Sequence, residues 1–127
     1  MTNAINWFEI PVTNYERAKK FYSTVLGTEL MDMPMTDESM ANMKYGFFPC
    51  DMEKGVGGAI VEMEGLKPSA DGSTVYLNGG DDLAKPLSRV EAAGGKVIMP
   101  KTGIGEHGFI AKFIDTEGNI VAFHSMN

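Results

Sequence analysis

The side chains best equipped for chemistry in these 127 residues are few: one cysteine, two histidines, and carboxylates set among aromatic residues. Glu9 follows Trp7 by two positions in "INWFEIPV", so on an extended strand the two share a face. A carboxylate against an aromatic wall in a partly dry cleft suits general acid or base catalysis; the same residue equally fits a pair with a cation or a dimer contact. His124 could shuttle protons or hold an anion near neutral pH, and it also reads as an exposed residue beside a fraying C-terminus. Thr74, Tyr76 and Asn78 alternate on one face and would offer hydrogen bonds to a cleft. Gly103, Gly105 and Gly108 spell a G-x-G-x-x-G run, but the "GFIAKFID" that follows alternates as a strand where a dinucleotide fingerprint requires a helix. The run therefore predicts a hairpin loop, or a flap over a cleft with His107 near its tip.

Met31, Met33, Met35, Met40 and Met43 suggest either a copper(I) thioether site or an adaptable, ligand-tolerant wall; no cysteine or histidine joins them, which favours the wall. Cys50 has no partner for an internal disulfide, fits a reducing cytoplasm, and leaves four-cysteine and Cys₂His₂ zinc modules unbuildable. A net charge of −6 disfavours nucleic acid, and no apolar run approaches the ~20 residues of a membrane span.

These residues need elements to hold them. Phe8, Ile10 and Val12 alternate as the apolar side of a first strand; Asn14 then caps a helix whose Ala18, Phe21, Tyr22, Val25 and Leu26 share a face and which stops at Gly27. "TELMDM", "ANMKYGFF" and "GGAIVEM" follow as strands, with the polar run Thr36 to Ser39 between the first two. The order then repeats. "STVYLN" is a strand, Asp82 caps a helix from about Leu83 to Ala93 that tolerates Pro86 in its first turn, and "KVIMP", "GFIAKFID" and "NIVAFHS" are strands. Asn14 and Asp82 stand 68 residues apart, as do Gly27 and Gly95; the first strands match better at 67, setting Phe8 on Val75 and Trp7 on Thr74, with a turn near Gly79-Gly80 absorbing the slip. The fold class predicted is α+β: a single domain over 1–127 made of two βαβββ modules, about 1–66 and 67–127, joined through "GLKPSADG".

Three motifs on this doubled frame, "IPVTNYERAKKFYSTVLG", "DDLAKPLSRVEAAGGKV" and "DTEGNIVAFHS", resemble the vicinal oxygen chelate superfamily of glyoxalases, bleomycin-resistance proteins and extradiol dioxygenases. The resemblance implies an open curved sheet around a central cleft with helices outside, frequently a homodimer, and in many members a divalent ion held by the first and fourth strands of each module. The family's first-strand histidine falls at Trp7 and its second-module counterpart at Thr74, while the last-strand glutamate falls at Ala122. In the fourth strand Glu62 reads either as a ligand or as an outward charge. None of the first three is a good ligand for a transition metal. The expectation is a cytoplasmic homodimer that binds a small organic molecule without the usual metal, its cleft lined by Trp7, Glu9, Thr74, Tyr76, Asn78, His107, Ala122 and His124. The alternative is a glyoxalase-like lyase or isomerase, or a dioxygenase-like enzyme, using a displaced divalent metal at Glu9, Glu62 and His124, or Glu9 as general base with His124 as its partner.

Overall fold

In a computed structural model that describes residues 3–34, 42–51 and 53–127, β1 spans Trp7–Pro11 and leads straight into α1, Tyr15–Leu26. Asn14 caps this helix as its sequence position predicts, accepting the Arg17 N–H at 3.1 Å, and Gly27 ends it in the left-handed region at φ 73°, where a side chain would be strained. The strands β2 (Met31–Asp32), β3 (Met43–Phe47) and β4 (Gly57–Met63) complete the first module. β2 is shorter than the "TELMDM" stretch suggests. Met35, Met40 and the run Thr36 to Ser39 lie outside the described residues.

The second module repeats the order with β5 (Val75–Asn78), α2 (Ala84–Leu87), β6 (Lys96–Gly103), β7 (Phe109–Ile114) and β8 (Ile120–Ser125). Each module forms a four-stranded sheet, ordered β1-β4-β3-β2 and β5-β8-β7-β6. In each, the first and last strands pair in parallel and the other pairs run antiparallel. A helix between first and second strands permits that parallel pairing, which a tight hairpin cannot.

The second helix departs from the sequence expectation. Regular α-structure covers only Ala84–Leu87, and the chain then tightens through i→i+3 bonds from Arg89 to Pro86 and from Val90 to Leu87. The N-cap position falls at Leu83, which makes no side-chain cap bond, and Asp82 just before it accepts the Ala84 N–H at 2.9 Å. The glycine with positive φ is Gly94, at 108°, rather than Gly95. Gly95 is required for space: a Cβ there would lie 2.7 Å from the Ile114 carbonyl oxygen and 2.8 Å from the Phe21 ring.

Alternation along the strands sends Phe8, Ile10, Val12, Ile60, Leu77, Val121 and Phe123 to one core, together with Tyr22, Phe21 and Val25 of α1 and Leu83 and Val90 of the second module. Phe21 packs on Phe113 of β7 with ring centroids 6.0 Å apart, and Tyr22 packs edge-on to Phe48 of the first module. The first helix is thus shared by both sheets. With their apolar faces committed to this core, the opposite faces of the two sheets remain open.

Candidate functional site

The open face of the first sheet is built by odd-numbered residues: Trp7 and Glu9 on β1; Met43, Tyr45 and Phe47 on β3; Gly57, Ala59, Val61 and Met63 on β4. β4 lies between β1 and β3, and its small residues form a low floor between two taller rows. Across that floor Trp7 Nε1 donates to Tyr45 Oη at 2.8 Å, and Tyr45 Oη donates to Glu9 Oε2 at 2.7 Å. The bridge passes over β4, which accounts for the complete burial of Ala59 and near-complete burial of Val61 on an otherwise open face. Phe47 closes the group, meeting Trp7 at 6.0 Å and Tyr45 at 5.5 Å, both nearly perpendicular. Burial and the neighbouring Glu9 carboxylate raise the Tyr45 phenol above its ordinary range, against the smaller opposing effect of the Trp7 donor.

Strand parity therefore predicts the shared face of Trp7 and Glu9, and the structure places them there. Glu9 itself is exposed, so in the single chain its aromatic neighbours do not strip it of water. Tyr45 and Phe47 were missing from the sequence reading of the site. The signal was available, since Met43, Tyr45 and Phe47 alternate in "MKYGF" as Trp7 and Glu9 do in "INWFEIPV".

The second sheet opens on Tyr76, Asn78, Lys112, Ala122 and His124, with Tyr76 opposite Ala122 and Asn78 opposite His124. Thr74 immediately precedes β5 rather than lying within it. Tyr76, Asn78, Gly80, His124 and Met126 border a shallow depression. Asn78 Oδ1 accepts the Gly80 N–H and shapes the turn there. His124 Nε2 lies 2.6 Å from the His107 carbonyl oxygen, an acceptor only, so Nε2 carries the hydrogen. The segment around His107 is a 3-10 turn, Gly105–His107, closed by the Ile104 N–H to Gly108 carbonyl bond, and the His107 side chain is 78 % exposed. The backbone of His107, not its imidazole, thus reaches His124.

Glu62 is resolved by geometry. Its parity puts it on the helix side of β4, where Oε1 accepts the Tyr15 N–H at 2.8 Å and helps cap α1. Glu9 and Glu62 therefore stand on opposite faces of one sheet, and the displaced set Glu9, Glu62 and His124 is not assembled in this chain. Among the described residues no group of three or more histidine, cysteine, aspartate or glutamate side chains is placed to hold a metal ion. The open-face positions on β4 are Gly57, Ala59, Val61 and Met63, and neither these nor Trp7, Thr74 and Ala122 supply an imidazole or carboxylate.

The Asp-Thr-Glu-Gly-Asn turn is occupied by structure. Asp115 accepts the Tyr22 hydroxyl at 2.6 Å and the Asn119 side chain at 3.0 Å, and Asn119 Nδ2 also donates to the Pro11 carbonyl at 2.8 Å. Glu117 accepts the Thr13 and Asn14 N–H groups at 2.9 and 2.8 Å and both arms of Arg17. This turn ties the start of the last strand to the start of the first helix.

The sequence profile of the Glyoxalase/Bleomycin resistance protein/Dioxygenase superfamily matches residues 4–123. The chain belongs to that superfamily. A glyoxylase-like domain-containing protein of Didymella fabae is 32 % identical over 118 residues, which cover 91 % of this chain and 88 % of that protein. Among solved structures, a glyoxalase I variant of Zea mays superposes with a TM-score of 0.69 at 22 % identity, covering 94 % of this chain and 45 % of the maize chain. This chain therefore spans about half of the maize enzyme. TnmS3, an antibiotic binding protein from Streptomyces sp. CB03234, superposes with a TM-score of 0.63 at 22 % identity over 100 % of this chain and 99 % of its own. Both likenesses are of fold. No helix among the described residues is long and apolar enough to cross a membrane.

Proposed function

We propose that this protein binds a small organic molecule on the open faces of its two sheets, without the divalent metal of many superfamily members. The observation that carries the reading is the Trp7–Tyr45–Glu9 chain of hydrogen bonds set in an aromatic, methionine-rich sheet face. Aromatic walls with a few fixed polar groups are what a small-molecule site requires, and the name of the Streptomyces neighbour, an antibiotic binding protein, lies in the same direction. Tyr76, Asn78 and His124 contribute polar groups from the second sheet. Large apolar side chains stand exposed on both faces, with Met31 at 72 %, Met63 at 41 % and Tyr76 at 46 %. A second copy laid against them would cover these side chains and enclose a cleft, so the functional form is a homodimer. A lone cysteine suits a cytoplasmic setting.

The test is a thermal-shift screen of small aromatic molecules, with mass measured in solution. Binding that raises the melting temperature of the wild type and is lost in Trp7→Ala supports the reading. A monomer that no compound stabilises removes it.

A second reading has one observation behind it. Glu9 receives a phenol hydrogen bond, so the carboxylate is oriented as a general base would need to be. In that case Glu9 takes a proton next to a carbonyl, in lyase or isomerase chemistry of the kind that the name of the Didymella relative suggests. Glu9→Gln would then abolish turnover while leaving binding intact.

A further inference from the structure

We infer that the molecule bound on the first sheet is an organic cation, taken up by the aromatic group around Glu9. This deepens the small-molecule reading and rests on it. Glu9 is the one charged side chain on that open face among the described residues: Lys44 and Glu62 alternate to the helix side, and Asp32 is bound there by Tyr15 and Lys19. Everything else on the face is aromatic, thioether or small aliphatic.

The carboxylate is half committed. Oε2 accepts Tyr45, while Oε1 accepts no hydrogen bond among the described residues. Beside it Trp7 and Tyr45 each stand nearly perpendicular to Phe47, at 71° and 73°, and all three rings are partly exposed on this face. A π face and a carboxylate both attract positive charge and both repel anions, and an ammonium carried on apolar groups satisfies them together with the thioether surroundings. A neutral aromatic would use the rings and leave the carboxylate without a partner.

Trp7 is the only tryptophan in the chain, so its fluorescence reports this face alone. Full-length protein is titrated with choline, 3,3-dimethylbutan-1-ol and 3,3-dimethylbutanoate, close in shape and carrying charges of about +1, 0 and −1. Choline is expected to perturb Trp7 with an affinity about tenfold above the neutral alcohol, with the carboxylate weakest. Glu9→Gln, which keeps an acceptor for Tyr45 on an exposed side chain, should erase the tenfold preference. Equal binding of choline and the alcohol overturns the inference but leaves a small-molecule face. Preference for the carboxylate also overturns it. If none of the three perturbs Trp7, and a panel of neutral aromatics fails as well, the small-molecule reading falls with it.

Discussion

Arg17 of α1 and Glu117 of the turn before β8 meet through two parallel contacts, Nε to Oε2 at 2.7 Å and Nη2 to Oε1 at 3.0 Å, although they are 100 positions apart in sequence. The Glu117 side chain is fully covered. Burial alone would favour its neutral form, but the bonds from Arg17, the Asn14 N–H, Thr116 and the Thr13 N–H prevail and hold the carboxyl at about 2, from an ordinary 4.5. A carboxyl depressed on folding stabilises the native state above its unfolded value, and that contribution is lost as pH falls from about 4.5 toward 2. With half-exposed Arg17 screened by water, the contribution at neutral pH is of order 1–2 kcal/mol. Denaturant melts between pH 7 and pH 2.5 should therefore show an acid-dependent loss that Glu117→Gln reduces. Parallel curves for the two proteins would remove Glu117 as its source.

Glu62→Ala should lower stability by about 1 kcal/mol, the usual worth of a helix-capping acceptor, because the Tyr15 N–H loses its partner. Its affinity for zinc or nickel, measured by calorimetry, should match that of the wild type. A fall in metal affinity would return Glu62 to the open face.

Protein purified without chelator should contain no stoichiometric divalent ion by elemental analysis. The expectation follows from the proposed metal-free reading: Trp7, Thr74 and Ala122 offer no imidazole or carboxylate, and Gly57, Ala59, Val61 and Met63 line the open side of β4. One equivalent of zinc, nickel or iron would contradict it.

Tyr45→Phe keeps the ring but removes both the acceptor for Trp7 and the donor to Glu9. A stability loss of about 1 kcal/mol is expected, together with an upfield move of the single indole N–H resonance. An unmoved resonance would mean that the hydroxyl and the indole do not meet in solution.

Gly95→Ala should cost about 1–3 kcal/mol by overpacking, because its Cβ has the Ile114 carbonyl on one side and Phe21 on the other and the backbone atom cannot swing away. Gly105, where a Cβ would meet nothing within 4 Å, tests the other cause: at φ 75° alanine is strained without being crowded. Thermal melts should show the larger drop for Gly95→Ala.

Much of this was legible in the chain itself. Local rules fix the Asn14 cap, the Gly27 stop, the doubled order of strands and the division of β1 into Phe8 and Ile10 inward against Trp7 and Glu9 outward. Alternation and capping depend on neighbours within a few residues, which a sequence displays directly. The length of α2 was not legible, because Pro86 and the tightening at Arg89 and Val90 act through hydrogen-bond geometry rather than apolar spacing. Nor was the fate of the carboxylates. Glu9, Glu62 and Glu117 are alike as letters, yet one joins an aromatic bridge, one caps a helix on the reverse of the same sheet, and one clasps Arg17 from the other module. Sequence sets which faces exist and what chemistry each residue type can offer. Only the packing of two sheets on one shared helix decides which partner, from up to about a hundred positions away, claims each side chain.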